Sequence, residues 1–328
     1  MSLVFETAAP ALRTAPERAD VACFVGFVAR RRDQPLPMSV RRQLIDAGWV
    51  NGPWRKGADA LEALDNVPVV IDSWALFDRL FAWDERLVGR APDAVSGAPS
   101  LCATYLGAAV RSFFARGGQR AVVVRVGDPW AFLESASNRA AKRRARLARL
   151  IPGFSDRDPV GELFEPMDPR TWRGIGHVVG LAEASLLCLP DLPDACSIEP
   201  LPPSVTVPLL PPAEGFAECS PDEPALSKDA GLRALRAPRL DGPGYGPWRV
   251  AVASVRAFLA RYQREMLFVG ALPLPREDAR RPVSDGGVHA HSDMLAFLRR
   301  SGVLEAEGSV DASGLSIASA FVQLGYPW

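Results

Sequence analysis

The chain has 328 residues, 48% of them apolar, and its 38 Lys plus Arg balance 38 Asp plus Glu. Such a chain can bury a large core as one large or two modest domains. Zero net charge leaves no whole-protein field to concentrate nucleic acid or anionic membrane, and no apolar run approaches a membrane span.

Leu3 to Leu12 reads as a short extended piece, with Pro10 and Pro16 ill suited to a helix. ACFVGFV at Ala22–Val28 is a first core strand. It ends in Arg30, Arg31 and Arg32, three charges that cannot be buried together and so mark a surface. Met38 to Asp65, with Trp49 and Trp54 around NGP, is expected to be an insertion with a little helix. Val67–Ile71 is a strand leading into a helix start at DSWALFDRLF, and the Gly, Pro, Ala and Ser between Trp83 and Ser100 predict a surface loop.

From Tyr105 to Phe114, Tyr105, Leu106, Ala109, Val110, Phe113 and Phe114 recur at three- and four-residue spacing, the pattern of one helix face. Gly117 and Gly118 end that helix, as a glycine at positive φ does. The chain restarts as AVVVRV at Ala121–Val126, a strand covered on both faces. Ala131 to Leu150 is helix-prone; its cluster Lys142, Arg143, Arg144, Arg146 and Arg149 leaves Leu147, Leu150 and Ile151 for an apolar contact. That run reads as a solvated face, or as a surface that docks on an acidic partner. Nucleic acid is disfavoured because no aromatic residues are interleaved with the bases.

His177 to Leu189 predicts a helix-to-strand step with a strand at Ser185–Leu189. Pro190, Asp191 and Pro193 stop it at the carboxyl edge of a sheet, where α/β enzymes place ligands. An aspartate there either serves chemistry or caps local backbone amides. Ala195 to Pro247 is dense in proline and forms an extended crossing or linker. Trp248 to Arg264 is the clearest amphipathic helix, Met266–Leu272 a further strand, and Ser292–Arg300 and Leu315–Phe321 two short helices.

Motifs of catalysis are missing: there is no phosphate loop, dinucleotide fingerprint, GxSxG elbow, CxxC pair or HExxH. His289 and His291 would point to one side of an extended segment, with Asp285 and Asp293 as the local carboxylates, a set too loose to specify a metal. No cofactor is expected. The five cysteines, Cys23, Cys102, Cys188, Cys196 and Cys219, are scattered and several lie in apolar runs, which predicts buried thiols of a reducing compartment. The N-terminus has no secretory pattern, so synthesis and folding in the cytoplasm are expected.

DVACFVGFV at Asp20–Val28, VPVVIDSWALFDRLF at Val67–Phe81 and YLGAAVRSFFARGGQRAVVVRV at Tyr105–Val126 together resemble the contractile tail sheath family, which covers phage tail sheaths and the sheath subunits of phage-like injection systems. HVVGLAEASLLCLPDL at His177–Leu192, FLARYQREMLFVGALPLP at Phe258–Pro275 and ASAFVQLGYPW at Ala318–Trp328 fit it too, in the family's order and over most of the chain.

The resemblance implies an α/β fold with a mixed sheet flanked by helices. It implies an N-terminal arm over residues 1–20 and a core over 21–328, with insertions at about 38–65, 84–100 and 195–247. The arm, through Leu3, Val4, Phe5 and Leu12, would add a strand to a neighbouring subunit. The implied function is structural: copies polymerise around an inner tail tube and contract to drive it through a target envelope, without nucleotide. Implied partners are other sheath subunits, the tube protein and baseplate or tail-terminator proteins, in a particle released by lysis. A family member would continue past Tyr326–Trp328 into an inter-subunit domain, so a truncated sheath or a tail-end or baseplate paralogue is also expected. An α/β enzyme using a sheet-edge crevice near Asp191 is the alternative of a different class.

Overall fold

The computed structural model describes residues 20–92, 99–131, 139–154, 165–197, 235, 238–275, 317 and 319–325. In chain order its first elements are β1 (Ala22–Gly26), β2 (Ala29–Arg30), α1 (Met38–Asp46), α2 (Ala58–Glu62), β3 (Pro68–Ile71), α3 (Trp74–Leu80), β4 (Phe81–Ala82), β5 (Arg86–Pro92) and β6 (Pro99–Cys102). There follow α4 (Tyr105–Ala115), β7 (Ala121–Arg125), α5 (Arg139–Leu150), β8 (Leu186–Cys188), α6 (Leu192–Cys196), β9 (Arg239–Leu240), α7 (Tyr245–Tyr262), β10 (Leu267–Ala271), β11 (Leu274–Pro275) and β12 (Val322–Gly325).

Six strands form one mixed sheet in the order β12-β10-β8-β1-β7-β3. All its pairs are parallel except the last, in which Pro68–Ile71 runs against Val124–Ala121. Every residue of the two central strands β1 and β7 is buried, as unbroken apolar runs with helices on both faces require. Because side chains alternate across a strand, Cys23, Val25, Val122 and Val124 face Leu147 and Leu150 of α5, Leu192 of α6 and Trp248, Val252 and Leu259 of α7. Phe24, Val69, Ile71 and Val123 face the other way, onto Val40 and Leu44 of α1, Phe77 and Leu80 of α3 and Leu106 and Val110 of α4. The result is three layers with a core on each side of the sheet.

Local signals set the helix ends. Ser73 Oγ accepts from the Leu76 amide at the start of α3, and Thr104 Oγ1 from the Gly107 amide at the start of α4. Gly117 sits at φ +91° just beyond α4, the left-handed conformation its position predicts. The described part of the chain holds no helix long and apolar enough to cross a membrane.

Residues 38–65 hold the helices α1 and α2, and Val40, Leu44, Trp49 and Leu64 belong to one of the two cores. Three expectations are corrected. The expected loop after Trp83 is a ribbon of β5 and β6, paired antiparallel through Leu87 and Leu101 with a register shift before Pro92 and Pro99. Arg30 is buried rather than at the surface, because its guanidinium donates to the carbonyls of Leu80, at 2.9 Å, and Gln34, at 2.7 Å. Arg32 is the exposed charge of the three, while Arg31 is half-buried and clamped by Asp78, Asp84 and Glu85. Lastly, Ser319–Phe321 form a bend and turn rather than a helix and lead into β12, the unpredicted edge strand. Ser292–Arg300 and residues 198–234 of the proline-rich crossing lie outside the described residues.

Candidate functional site

The carboxyl ends of β1 and β8 converge on the start of α4, and the polar residues gathered there are deeply buried. Asp191, directly after β8, is 3% exposed, and its Oδ2 accepts from the Phe27 amide at 2.8 Å. Burial pushes its carboxyl up to about 7, against the opposing pull of the Phe27 amide, the Arg86 charge and the Leu106 amide at the α4 N-terminus. The amides that Asp191 caps are therefore distant in sequence, not local, and the side chain fastens β1 to β8 and α4. A Cβ on Gly26 would stand 2.3 Å from Asp191 Oδ2 and 3.3 Å from Leu106, so only glycine fits beside the carboxyl. Gly26→Ala is expected to cost about 1–3 kcal/mol through overpacking. Thermal denaturation checks this, and an unchanged midpoint would show that Asp191 can move aside.

One turn further on, Asp194 of α6 meets Arg86 of β5 at 2.6 Å, with the arginine side chain 2% exposed and the aspartate 12%. Arg86 Nε also donates to the Trp130 carbonyl at 2.9 Å. Its guanidinium carbon lies 5.3 Å from the Trp130 ring centroid and 5.6 Å from that of Tyr105. Burial alone would weaken the arginine's hold on its proton, but the Asp194 carboxylate outweighs it and the pKa is raised. Burial likewise raises Tyr105 and Cys102 beside it. A buried arginine between two aromatic rings and a carboxylate is a pre-organised ion pair. Every one of these groups holds another in place.

The basic cluster of α5 is less solvated than its composition suggests. Arg143 is buried, Lys142 and Arg146 are half-buried, and Arg144 and Arg149 are exposed. Arg146 stacks on the outer surface of the same unit, its guanidinium carbon 3.9 Å from the Trp130 ring centroid, while Arg149 Nη1 reaches the Val126 carbonyl at 3.5 Å. The predicted apolar contacts Leu147, Leu150 and Ile151 are buried in the core. Leu3, Val4, Phe5 and Leu12, the histidines His289 and His291 with Asp285 and Asp293, and Cys219 lie outside the described residues.

A second buried group stands at the other end of the sheet. His177, in the 3-10 turn Gly174–Gly180, is fully buried and edge-on to Trp49, at 5.6 Å, and Trp172, at 6.2 Å. Burial and the nearby Lys56 charge push its pKa down to about 3, with the Asn66 backbone opposing weakly. It is a neutral imidazole at any physiological pH. Among the thiols, Cys23 and Cys188 on neighbouring strands are both raised by burial, Cys188 to about 12. Among the described residues no group of three or more His, Cys, Asp and Glu could hold a metal ion.

Sequence reasoning reached Asp191 but missed His177, and missed Arg86, Asp194 and Tyr105 as a unit. Arg86 sits in a stretch whose Gly and Pro content predicted a loop, and a buried arginine looks in sequence like a surface one. The sequence matches no family model, and no curated protein is significantly similar to it.

Proposed function

We propose that this chain is a structural subunit of a contractile tail sheath or a sheath-like tail-end paralogue, made in the cytoplasm and built into a phage-tail-like particle. The observation that supports this reading best is the place of β12. The Ala318–Trp328 segment, one of the six that carry the resemblance, supplies through Val322–Gly325 the edge of the sheet beside β10. An edge strand offers unpaired backbone groups, so the segment leaving the core lies where strands from neighbouring copies can join. The core, whose strands β1 and β7 are buried at every position, suits a body that moves as one piece while its connections rearrange. Energy for contraction would reside in two packings of the same subunits. The arm residues Leu3, Val4, Phe5 and Leu12 would link neighbours, and Arg144 and Arg149 of α5, which are exposed, would meet acidic partner surfaces.

The enzyme alternative finds less support. Asp191 is 3% exposed and engaged by backbone amides, which suits a fastening role better than proton transfer to a substrate.

Negative-stain electron microscopy of the chain co-expressed with the tube and sheath proteins encoded beside it tests the proposal. Striated tubes that incorporate the chain are the expected result. Deleting residues 3–12 is expected to abolish incorporation while leaving the melting temperature nearly unchanged. Particles that never associate with a tube would overturn the sheath reading, and unaltered tubes from the deletion would remove the arm.

A further inference from the structure

A cavity of about 470 Å3, within the size range of small-molecule sites, lies beside the sheet edge at β3. Trp49, Trp54 and Trp172 wall it, and Pro68, Val70 and Val122 reach it from the sheet. Much of the polar character of this wall is already spent. Trp54 Nε1 donates to the Ala47 carbonyl and Trp172 Nε1 to that of Glu165, each at 3.2 Å, and the His177 nitrogens are shut off from the space. Such a lining favours a flat ring, by offset or edge-on contact with the indoles.

Charge distinguishes one side of the cavity from the other. Glu183 is paired with Arg120 at 2.9 Å, so its carboxylate is already met by a cation. Toward Pro68 stand two cations from remote segments. Asn66 Oδ1 accepts from the Gly174 amide at 3.1 Å, which sets Arg173 beside the start of β3. Lys56 Nζ lies 5.6 Å from the Trp49 ring centroid, and its charge is felt at both Arg173 and His177. Burial and the like charge of Arg173 lower the pKa of this half-buried lysine. Asp65 pulls the other way, but Asp65 is itself engaged by Arg125 at 3.3 Å. Among the described residues neither Lys56 nor Arg173 makes an ion pair or a side-chain hydrogen bond. Two neighbouring cations repel, and an anion placed against both would offset that repulsion and part of the hydration that Lys56 has lost.

We infer that the cavity binds a small aromatic carboxylate, its ring among Trp49, Trp54 and Trp172 and its carboxylate against Lys56 and Arg173. The inference stands apart from the assembly role and can fail or succeed without it.

Titration of the intact chain with indole-3-acetate, uncharged 3-methylindole and cationic tryptamine tests the site, since the three share a ring and differ in charge. Calorimetry at low salt is expected to show indole-3-acetate binding about tenfold tighter than 3-methylindole, the ratio that about 1.4 kcal/mol gives, and tryptamine weaker than both. Raising the salt to about 0.5 M should narrow the gap, because Arg173 is exposed and Lys56 half-buried. Side-chain 15N spectra should place the shifts on Trp49, Trp54 and Trp172 among the 8 tryptophans of the chain. The double variant Lys56→Gln with Arg173→Gln should keep 3-methylindole binding and lose the preference for the acid. Equal affinities, tighter binding of tryptamine, binding of none of the three, or shifts that spare these tryptophans would overturn the inference. The wild-type measurements decide it even if the variant does not fold.

Discussion

Replacement of Arg86 by Met is expected to destabilise the protein by about 3–5 kcal/mol, the range for breaking a buried ion pair from one side. The cost comes mainly from what is left behind. Asp194, 12% exposed, loses the guanidinium that meets it at 2.6 Å and keeps a charge with little water to screen it. The Trp130 carbonyl loses a donor as well, and two rings lose a cation at 5.3 and 5.6 Å. Asp194→Asn should also destabilise, because it leaves the Arg86 guanidinium, 2% exposed, with an amide oxygen in place of its counter-charge. The double variant Arg86→Met with Asp194→Leu should recover part of the loss, since an apolar pair of similar volume carries no desolvation penalty. Urea unfolding of the parent, Arg86→Met, Asp194→Leu and the double variant, read as a double-mutant cycle, measures the coupling. A single Arg86→Met variant within 1 kcal/mol of the parent would show that the pair contributes little.

The second large effect is a pair of opposed acid responses. An unfolded histidine binds its proton near 6.5, whereas native His177 resists until about 3, so the native state binds fewer protons between those values. Each pH unit of acidification through that window removes about 1.4 kcal/mol of stability. Asp191 acts in the other direction. Its native carboxyl holds a proton up to about 7 against 3.8 when unfolded, so stability rises as pH falls from about 7 toward 4. The two slopes overlap and largely cancel in the parent protein. His177→Phe is therefore expected to become more stable on going from pH 7 to pH 5, and Asp191→Asn, which still offers a carbonyl to the Phe27 amide, less stable. Denaturant melts at both pH values give the signs. Parallel profiles for parent and variants would mean that neither group is held in the native state as its burial implies.

Both effects rest on residues that chain order scatters. Arg86 and Asp194 are 108 positions apart, and Asp191 and Phe27 are 164 apart. No spacing rule spans such distances. The arginine had the further disadvantage of sitting in a stretch whose Gly and Pro content points to a loop, where strand β5 instead pairs with β6 and brings the side chain inward.

What the sequence determined by itself was the set of elements whose pattern is local. ACFVG and AVVVR are buried at every position because unbroken β-branched and aromatic runs have no face suited to water. The Tyr105–Ala115 helix, its glycine stop at Gly117, the strands near Val67, Ser185 and Met266 and the helix through Trp248 follow from periodicity and capping over a few residues. Tertiary structure alone decided the strand order, the antiparallel setting of β3, and the recruitment of VQLG as an edge strand. Four residues carry too little periodicity to be read without the β10 partner that orders them. It also decided which charges lie inside. Arg30 and Arg86 read as surface residues, and Asp191 as a sheet-edge or loop-capping one, in a chain with 23% charged residues. They are buried because the fold brings carbonyls, a carboxylate and amides from remote segments to meet them, and only that convergence offsets the cost of removing a charge from water.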